Sequence, residues 1–94
     1  MLANQYARDG VLVNSVTPGY ILTDRQKELG AARAVKKGIG FDRYMTDLVQ
    51  DVPMGRLGMP AELADVIVFL CSERSSYVTG ATLSVDGGLA KGLL

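Results

Sequence analysis

The residues best suited to chemistry lie together between Val11 and Asp24, in the run Val-Leu-Val-Asn-Ser-Val-Thr-Pro-Gly-Tyr-Ile-Leu-Thr-Asp. Pro18 and Gly19 break an apolar, β-branched stretch. Proline removes a backbone donor, and glycine lets the backbone approach a neighbour or a ligand closely. Thr23 stands three residues before Gln26, the spacing of a capping box. In that motif the hydroxyl takes the third helical N–H and the glutamine reaches back to the cap. The order is therefore strand, tight loop, helix start. In open α/β sheets ligands sit in the crevice beyond the carboxyl ends of the strands, where a helix N-terminus presents N–H groups to anionic or carbonyl oxygens. The chain has no histidine, which removes conventional imidazole acid/base chemistry, and its single cysteine builds neither a zinc site nor an internal disulfide.

The elements that position this loop follow from the flanking pattern. Val11 to Val16 is too short and too β-branched for a helix and lacks polar alternation, which predicts a strand covered on both faces, as in a parallel sheet. Before it, Leu2, Ala3, Tyr6 and Ala7 have helical spacing, and Gly10 is placed to close the turn in the left-handed conformation. After it, Asp24 to Gly38 reads as a weakly amphipathic, mobile helix interrupted by Gly30. Gly38-Ile-Gly40 is a turn rather than a phosphate loop, because no strand precedes it and Arg43 occupies the third glycine position. Asp42 is suited to cap a further helix whose Met45, Leu48, Val49 and Val52 form an apolar stripe that Pro53 ends.

Pro53 to Pro60 reads as a structured loop. Arg56 within it meets either an anion or a neighbouring subunit, or else pairs with a nearby carboxylate or loop carbonyls, and the pairing is the plainer reading. Pro60 opens a helix with Glu62 in its favourable N-terminal field. Leu63, Val66, Ile67 and Leu70 form its inward stripe, but Ala64, Val68, Phe69 and Cys71 leave few polar positions opposite. The helix is expected to be buried nearly all round, with Cys71 an inert buried thiol. Ala81, Leu83 and Val85 then alternate with hydroxyl residues as in an edge strand, which the long connection makes parallel to the first.

Composition bounds the function. With 94 residues, 48% of them hydrophobic and 21% charged, the chain is one domain at most and globular in character. Lys plus Arg equals Asp plus Glu at 10 each, so neither a nucleic-acid partner nor an anionic membrane surface is implied. The longest apolar run, Val66 to Cys71, is far short of the roughly 20 residues of a membrane helix. The N-terminus has no secretory pattern, and a reducing cytoplasm is the expected compartment.

Val-Asn-Ser-Val-x-Pro-Gly-x-Ile-x-Thr resembles the loop after the sixth strand of the short-chain dehydrogenase/reductase family. Pro53-Met-Gly-Arg-Leu-Gly-Met-Pro60, Ala-Glu-Leu-Ala-Asp, Tyr77-Val-Thr-Gly and Val85-Asp-Gly-Gly88 are similar to its closing segments, in the same order. The resemblance implies an α/β fold: the C-terminal part of a Rossmann-like doubly wound parallel sheet, with two parallel strands and crossover helices, incomplete as a domain. Residues 1–94 would be one segment of a single oxidoreductase domain, with substrate-lid helices over 24–54.

On that resemblance, Pro18 and Gly19 shape the loop against the nicotinamide end of NAD or NADP, the Ile21 backbone meets the carboxamide, and the Thr23 hydroxyl reaches the carboxamide or pyrophosphate. Tyr20 is placed to touch substrate, although packing is the commoner role of such an aromatic. Taken alone, Pro18-Gly19 is a strand-ending turn and Thr23 a helix cap. Asn14 reads as structural, its side chain satisfying nearby backbone groups.

The family's Tyr-x-x-x-Lys and glycine-rich loop have no counterpart here; none of Tyr6, Tyr20, Tyr44 or Tyr77 has lysine four positions on. No catalytic residue is therefore assigned. Two functions follow. One is the C-terminal part of an NAD(P)-dependent oxidoreductase of a small alcohol or ketone, partnered by the missing N-terminal part of the fold and forming a homo-oligomer. Alone, this part would be inactive and bind no cofactor. The alternative is a non-catalytic, self-associating module acting as the 94-residue chain itself.

Overall fold

Two of the sequence's strongest local signals, the Thr23 cap and the Gly38 stop, bound its longest helix. The structure, a computed structural model describing residues 1–90, places a helix between them over Asp24–Lys37 (α2). Thr23 Oγ1 accepts the Gln26 N–H at 3.1 Å, and Gly38 closes the helix at φ 71°. The reciprocal half of the capping box is replaced: the Thr23 N–H donates to Ile21 O at 2.8 Å. Gly30 does not interrupt α2. It is buried where α2 crosses the next helix, Phe41–Val49 (α3), and a Cβ there would stand 3.1 Å from both Met45 Sδ and Phe41 Cε2. Gly40, not Asp42, is the N-cap of α3. Its buried Tyr44 and the half-buried Met45, Leu48 and Val49 lead to buried Val52, so α2 and α3 form a hairpin with its own small core.

The remaining elements form a thin sheet unit. A first helix over Leu2–Tyr6 (α1) passes through a 3₁₀ turn to Gly10, which is left-handed at φ 77° as its position required. The first strand, β1, covers Ser15–Pro18 and pairs in parallel with the second, β2, over Thr82–Val85, in the register Ser15↔Thr82 to Pro18↔Val85. This corrects the expected strand at Val11 to Val16, and the reason lies in hydrogen bonding. Val13 spends its N–H on Thr79 Oγ1 at 3.1 Å, and Asn14 bridges Val78 O and the Ala81 N–H with its side chain, at 3.0 Å each. A side chain thus substitutes for ladder bonds at the entrance to the strand, as the structural reading of Asn14 anticipated.

The fourth helix, α4, covers Pro60–Leu70 with Pro60 in its first turn. It was expected to be buried nearly all round, but no residue of it is buried in this chain, and Val68 is 66% exposed. Cys71 at its end is likewise exposed, not a buried thiol. The described residues leave these apolar faces uncovered. The radius of gyration, 17.0 Å, exceeds the roughly 12 Å of a closed domain of this length, consistent with a helical hairpin and a sheet unit that scarcely touch.

Along β1, Ser15 and Gly19 donate to Ala81 O and Val85 O, at 2.9 and 3.0 Å, and Val13 O accepts from Gly80. Odd-numbered residues therefore bond toward β2, and even-numbered Asn14, Val16 and Pro18 turn their backbone groups to the opposite, unpaired edge. Pro18 is tolerated inside the strand because its missing N–H lies on that edge.

Candidate functional site

At the carboxyl ends of β1 and β2 the backbone is drawn into a second, shorter parallel contact. Gly58 donates to Tyr20 O at 2.9 Å and accepts from the Leu22 N–H at 2.8 Å, bridging Ile21. This pairing uses the groups on either side of Ile21, so the Ile21 N–H is turned to the other side of the loop. A Cβ on Gly58 would lie 2.9 Å from Ile21 Cδ1, so the end of the Ile21 side chain would have to turn to admit one. The loop before α2 is thereby clamped to the loop before α4.

Between them lies a cleft of about 350 Å³, lined by Tyr20, Ile21, Met54, Val66 and the β2 end from Ser84 to Gly88, with Arg56 and Glu62 at its rim. Its lining combines aliphatic Ile21, Met54, Val66 and Val85 with polar Tyr20, Ser84 and Asp86. Asp86 fixes the β2 end, its carboxylate accepting the Gly88 and Ala90 N–H groups at 3.0 and 2.9 Å.

The rim is braced by charge. Arg56 meets Glu62 in a bidentate pair at 2.8 and 3.0 Å and also donates to Leu57 O at 3.1 Å, which is the pairing expected of it from sequence. Glu62 Oε1 in addition accepts the Met59 N–H at 2.9 Å, tying the loop to the first turn of α4. These bonds, the Arg56 guanidinium foremost and the Met59 N–H next, hold the Glu62 carboxyl down at about 2 from its ordinary 4.5. Glu62 in turn raises the Arg56 guanidinium.

Of the residues singled out in sequence, the structure brings Tyr20 and Ile21 into the cleft. Pro18, Gly19 and Thr23 flank it without lining it. Gly19 is closely approached, but by protein: an added Cβ would lie 2.6 Å from Asp86 Cβ and 2.8 Å from Asp86 Cα. Thr23 caps α2 with one oxygen lone pair, which leaves its O–H proton to donate. Sequence reasoning missed Gly58 and Asp86 as the groups that shape the site. The signal was present in Met-Gly-Arg-Leu-Gly and Val-Asp-Gly-Gly, where glycine beside a strand end marks close backbone approach. Among the described residues no group of acidic, histidine or cysteine side chains is arranged to hold a metal ion, and no helix is long and apolar enough to cross a membrane.

Comparisons with known proteins give consistent matches. A family profile described as "Enoyl-(Acyl carrier protein) reductase" matches residues 1–90. The chain is 39% identical over 89 residues to a 3-oxoacyl-[acyl-carrier-protein] reductase of Chlamydia trachomatis, covering 95% of this chain and 32% of that protein. Among solved structures, a short chain dehydrogenase family protein from Francisella tularensis superposes with a TM-score of 0.91 at 33% identity, over 97% of this chain and 38% of its own. L-Sorbose reductase from Gluconobacter frateurii, solved with NADPH and L-sorbose, gives a TM-score of 0.89 at 35% identity, over 98% of this chain and 35% of its own. The chain thus spans about a third of the length of the relatives it matches.

Proposed function

The chain belongs to the short-chain dehydrogenase/reductase family, and from that membership we propose that it is the C-terminal part of an NAD(P)-dependent oxidoreductase acting on a small alcohol or ketone. It would supply the nicotinamide-side loop, the substrate lid over residues 24–54 and contacts between subunits, within a single Rossmann-like domain of the cytoplasm. The observation that carries this reading is the clamped Tyr20–Thr23 loop at the carboxyl edge of a parallel sheet, beside a cleft lined in part by aliphatic side chains.

The residues present fit the nicotinamide end of a dinucleotide. When bound, NAD or NADP supplies the hydride chemistry. Pro18 and Gly19 set the path of the loop, which the Gly58 bridge holds rigid. Ile21 turns an N–H away from that bridge, suited to a carboxamide oxygen, and Thr23 offers its remaining O–H to a carboxamide or phosphate oxygen. Tyr20 orients substrate from the cleft wall. Proton transfer and pyrophosphate binding belong to the N-terminal part of the fold, since no residue here has the required pattern. The alternative, a self-associating module without catalytic partners, draws no support from a cleft at this edge.

A chimera tests the proposal: residues 1–90 replace the matching segment of L-sorbose reductase, and NADPH binding is titrated. A folded chimera that binds NADPH supports the assignment. A folded chimera that does not bind it overturns the assignment.

A further inference from the structure

Leu57, Gly58 and Met59 are joined by two planar peptide groups, and each plane is held at both of its edges. In the plane between Leu57 and Gly58, the Gly58 N–H donates to Tyr20 O at 2.9 Å, and Leu57 O on the opposite edge accepts from Arg56 Nη1 at 3.1 Å. In the plane between Gly58 and Met59, Gly58 O accepts the Leu22 N–H at 2.8 Å, and the Met59 N–H donates to Glu62 Oε1 at 2.9 Å. The bidentate bonds from Arg56 to Glu62, at 2.8 and 3.0 Å, close the ring on the far side. The ion pair thus grips the outer edges of two planes whose inner edges grip the loop around Ile21.

The line continues one peptide further. Tyr20 O and the Ile21 N–H belong to one trans peptide group and point to its opposite edges. Arg56 therefore heads a series in which its own N–H meets Leu57 O, the Gly58 N–H meets Tyr20 O, and the Ile21 N–H stands at the tail. Hydrogen bonds in such a series polarise one another, and a cation at the head strengthens the donor at the tail. Arg56 lies at the cleft rim, yet three of its five donors go to Leu57 and Glu62 and its charge is matched, so it is poorly suited to take a ligand itself. The two side chains are 49% and 45% exposed, and an ion pair this open to water adds little to global stability. Its plainer duty, capping α4, accounts for Glu62 on the Met59 N–H but not for Arg56 on Leu57 O.

We propose that Arg56, held in place by Glu62, is a positioning residue for the cofactor: through the two Gly58 peptide planes it orients and polarises the Ile21 N–H toward the nicotinamide carboxamide. The inference rests on the oxidoreductase reading and adds to that site a residue that acts without touching the ligand.

The test has two arms. In the full 94-residue chain, amide hydrogen exchange is followed at Gly58 and Leu22, with Gly19, bonded to Val85 O beside the strand ladder, as the control. Arg56→Gln should speed exchange at Gly58 and Leu22 about tenfold and leave Gly19 unchanged, with Arg56→Lys, which keeps the charge but not the fork, in between. Equal acceleration at all three amides, or none, overturns the proposal. In the chimera, NADPH is titrated beside the 2′-phosphate of ADP-ribose, which lacks the nicotinamide. Arg56→Gln should weaken NADPH binding about tenfold and leave the nicotinamide-free analogue unchanged. Equal weakening of both ligands marks a merely structural role and overturns the proposal, as does weakening of neither. If Arg56→Gln unfolds either protein, Glu62→Gln is read by the same criteria, because glutamine keeps the bond to the Met59 N–H while the ion pair is lost. A chimera that binds no NADPH before any substitution refutes the oxidoreductase reading and this role with it, whereas one that binds NADPH equally well after Arg56→Gln refutes the positioning alone.

Discussion

Gly19→Ala tests whether the close approach at the end of β1 is what shapes the site. The new Cβ would fall 2.6 Å from Asp86 Cβ and 2.8 Å from Asp86 Cα, about an ångström inside ordinary carbon–carbon contact. Asp86 cannot swing aside freely, because its carboxylate holds the N–H groups of Gly88 and Ala90. The strand ends must separate instead, and the 3.0 Å bond from the Gly19 N–H to Val85 O weakens with them. Overpacking of this kind costs about 1–3 kcal/mol, and the compromised hydrogen bond adds about 1 kcal/mol. Gly19 is not among the glycines with positive φ, so alanine is compatible with the backbone and recovers about 0.5–1 kcal/mol through the unfolded chain. The net loss is about 1–3.5 kcal/mol. With a urea slope of about 1–3 kcal/mol/M for a small protein, the midpoint followed by circular dichroism should drop by about 0.3 M or more. An unchanged midpoint and slope would refute the reasoning, showing that the Asp86 turn yields without cost.

Thr23→Val should lower stability by about 1 kcal/mol through the lost cap. In the chimera it should also weaken NADPH binding, and unchanged affinity would leave Thr23 a cap alone. The Glu62 carboxyl, lowered in the folded chain, contributes stability that is complete above about 4.5 and is lost as pH falls toward about 2; its carbon-13 titration should show the low midpoint, returning toward 4.5 in Arg56→Gln. The isolated chain should show no saturable heat with NAD or NADP at millimolar concentration, and calorimetry that finds micromolar binding contradicts this. The chain should sediment as a dimer or larger at low micromolar concentration, because the even-numbered backbone groups of β1 and the exposed face of α4 lack cover. Val16→Pro deletes an N–H on the open edge while sparing the β2 ladder and should shift that equilibrium toward monomer; a well-behaved monomer without the substitution refutes the exposed-edge argument.

The helices were legible in sequence because their signals are local. The Thr23 hydroxyl, Gly38 and the Met45–Val52 stripe need only neighbours a few residues away, and α2, α3 and α4 lie close to their expected bounds. The first strand was displaced because strand identity belongs to the partner. Val11 to Val13 have the right side chains, yet the Val11 N–H goes back to Tyr6 O, the Val13 N–H goes to the Thr79 side chain, and the Asn14 side chain takes Val78 O and the Ala81 N–H, partners more than 60 residues away for Val13 and Asn14. Hydropathy marked α4 and Cys71 as interior, and it cannot report whether the covering surface lies in the same chain. For the site, residue types picked out Tyr20 and Ile21, but the clamp by Gly58 and the contact of Gly19 with Asp86 are tertiary. The sequence shows a glycine at each place without naming what presses against it.

The Ile21–Gly58 bridge has a consequence for how such a chain could diversify. It ties together the two ends of the excursion from Thr23 to Leu57, so the sheet and the Tyr20–Leu22 loop are closed off beneath the hairpin as a stem closes beneath a graft. Doubling the length of a closed loop costs only about 0.6 kcal/mol. Helices could therefore be lengthened, shortened or exchanged above this stem with little effect on β1, β2 or Thr23. The hairpin would then be free to change by replacement of one contiguous cassette, while the sheet and the loop clamped by Gly58 are inherited intact.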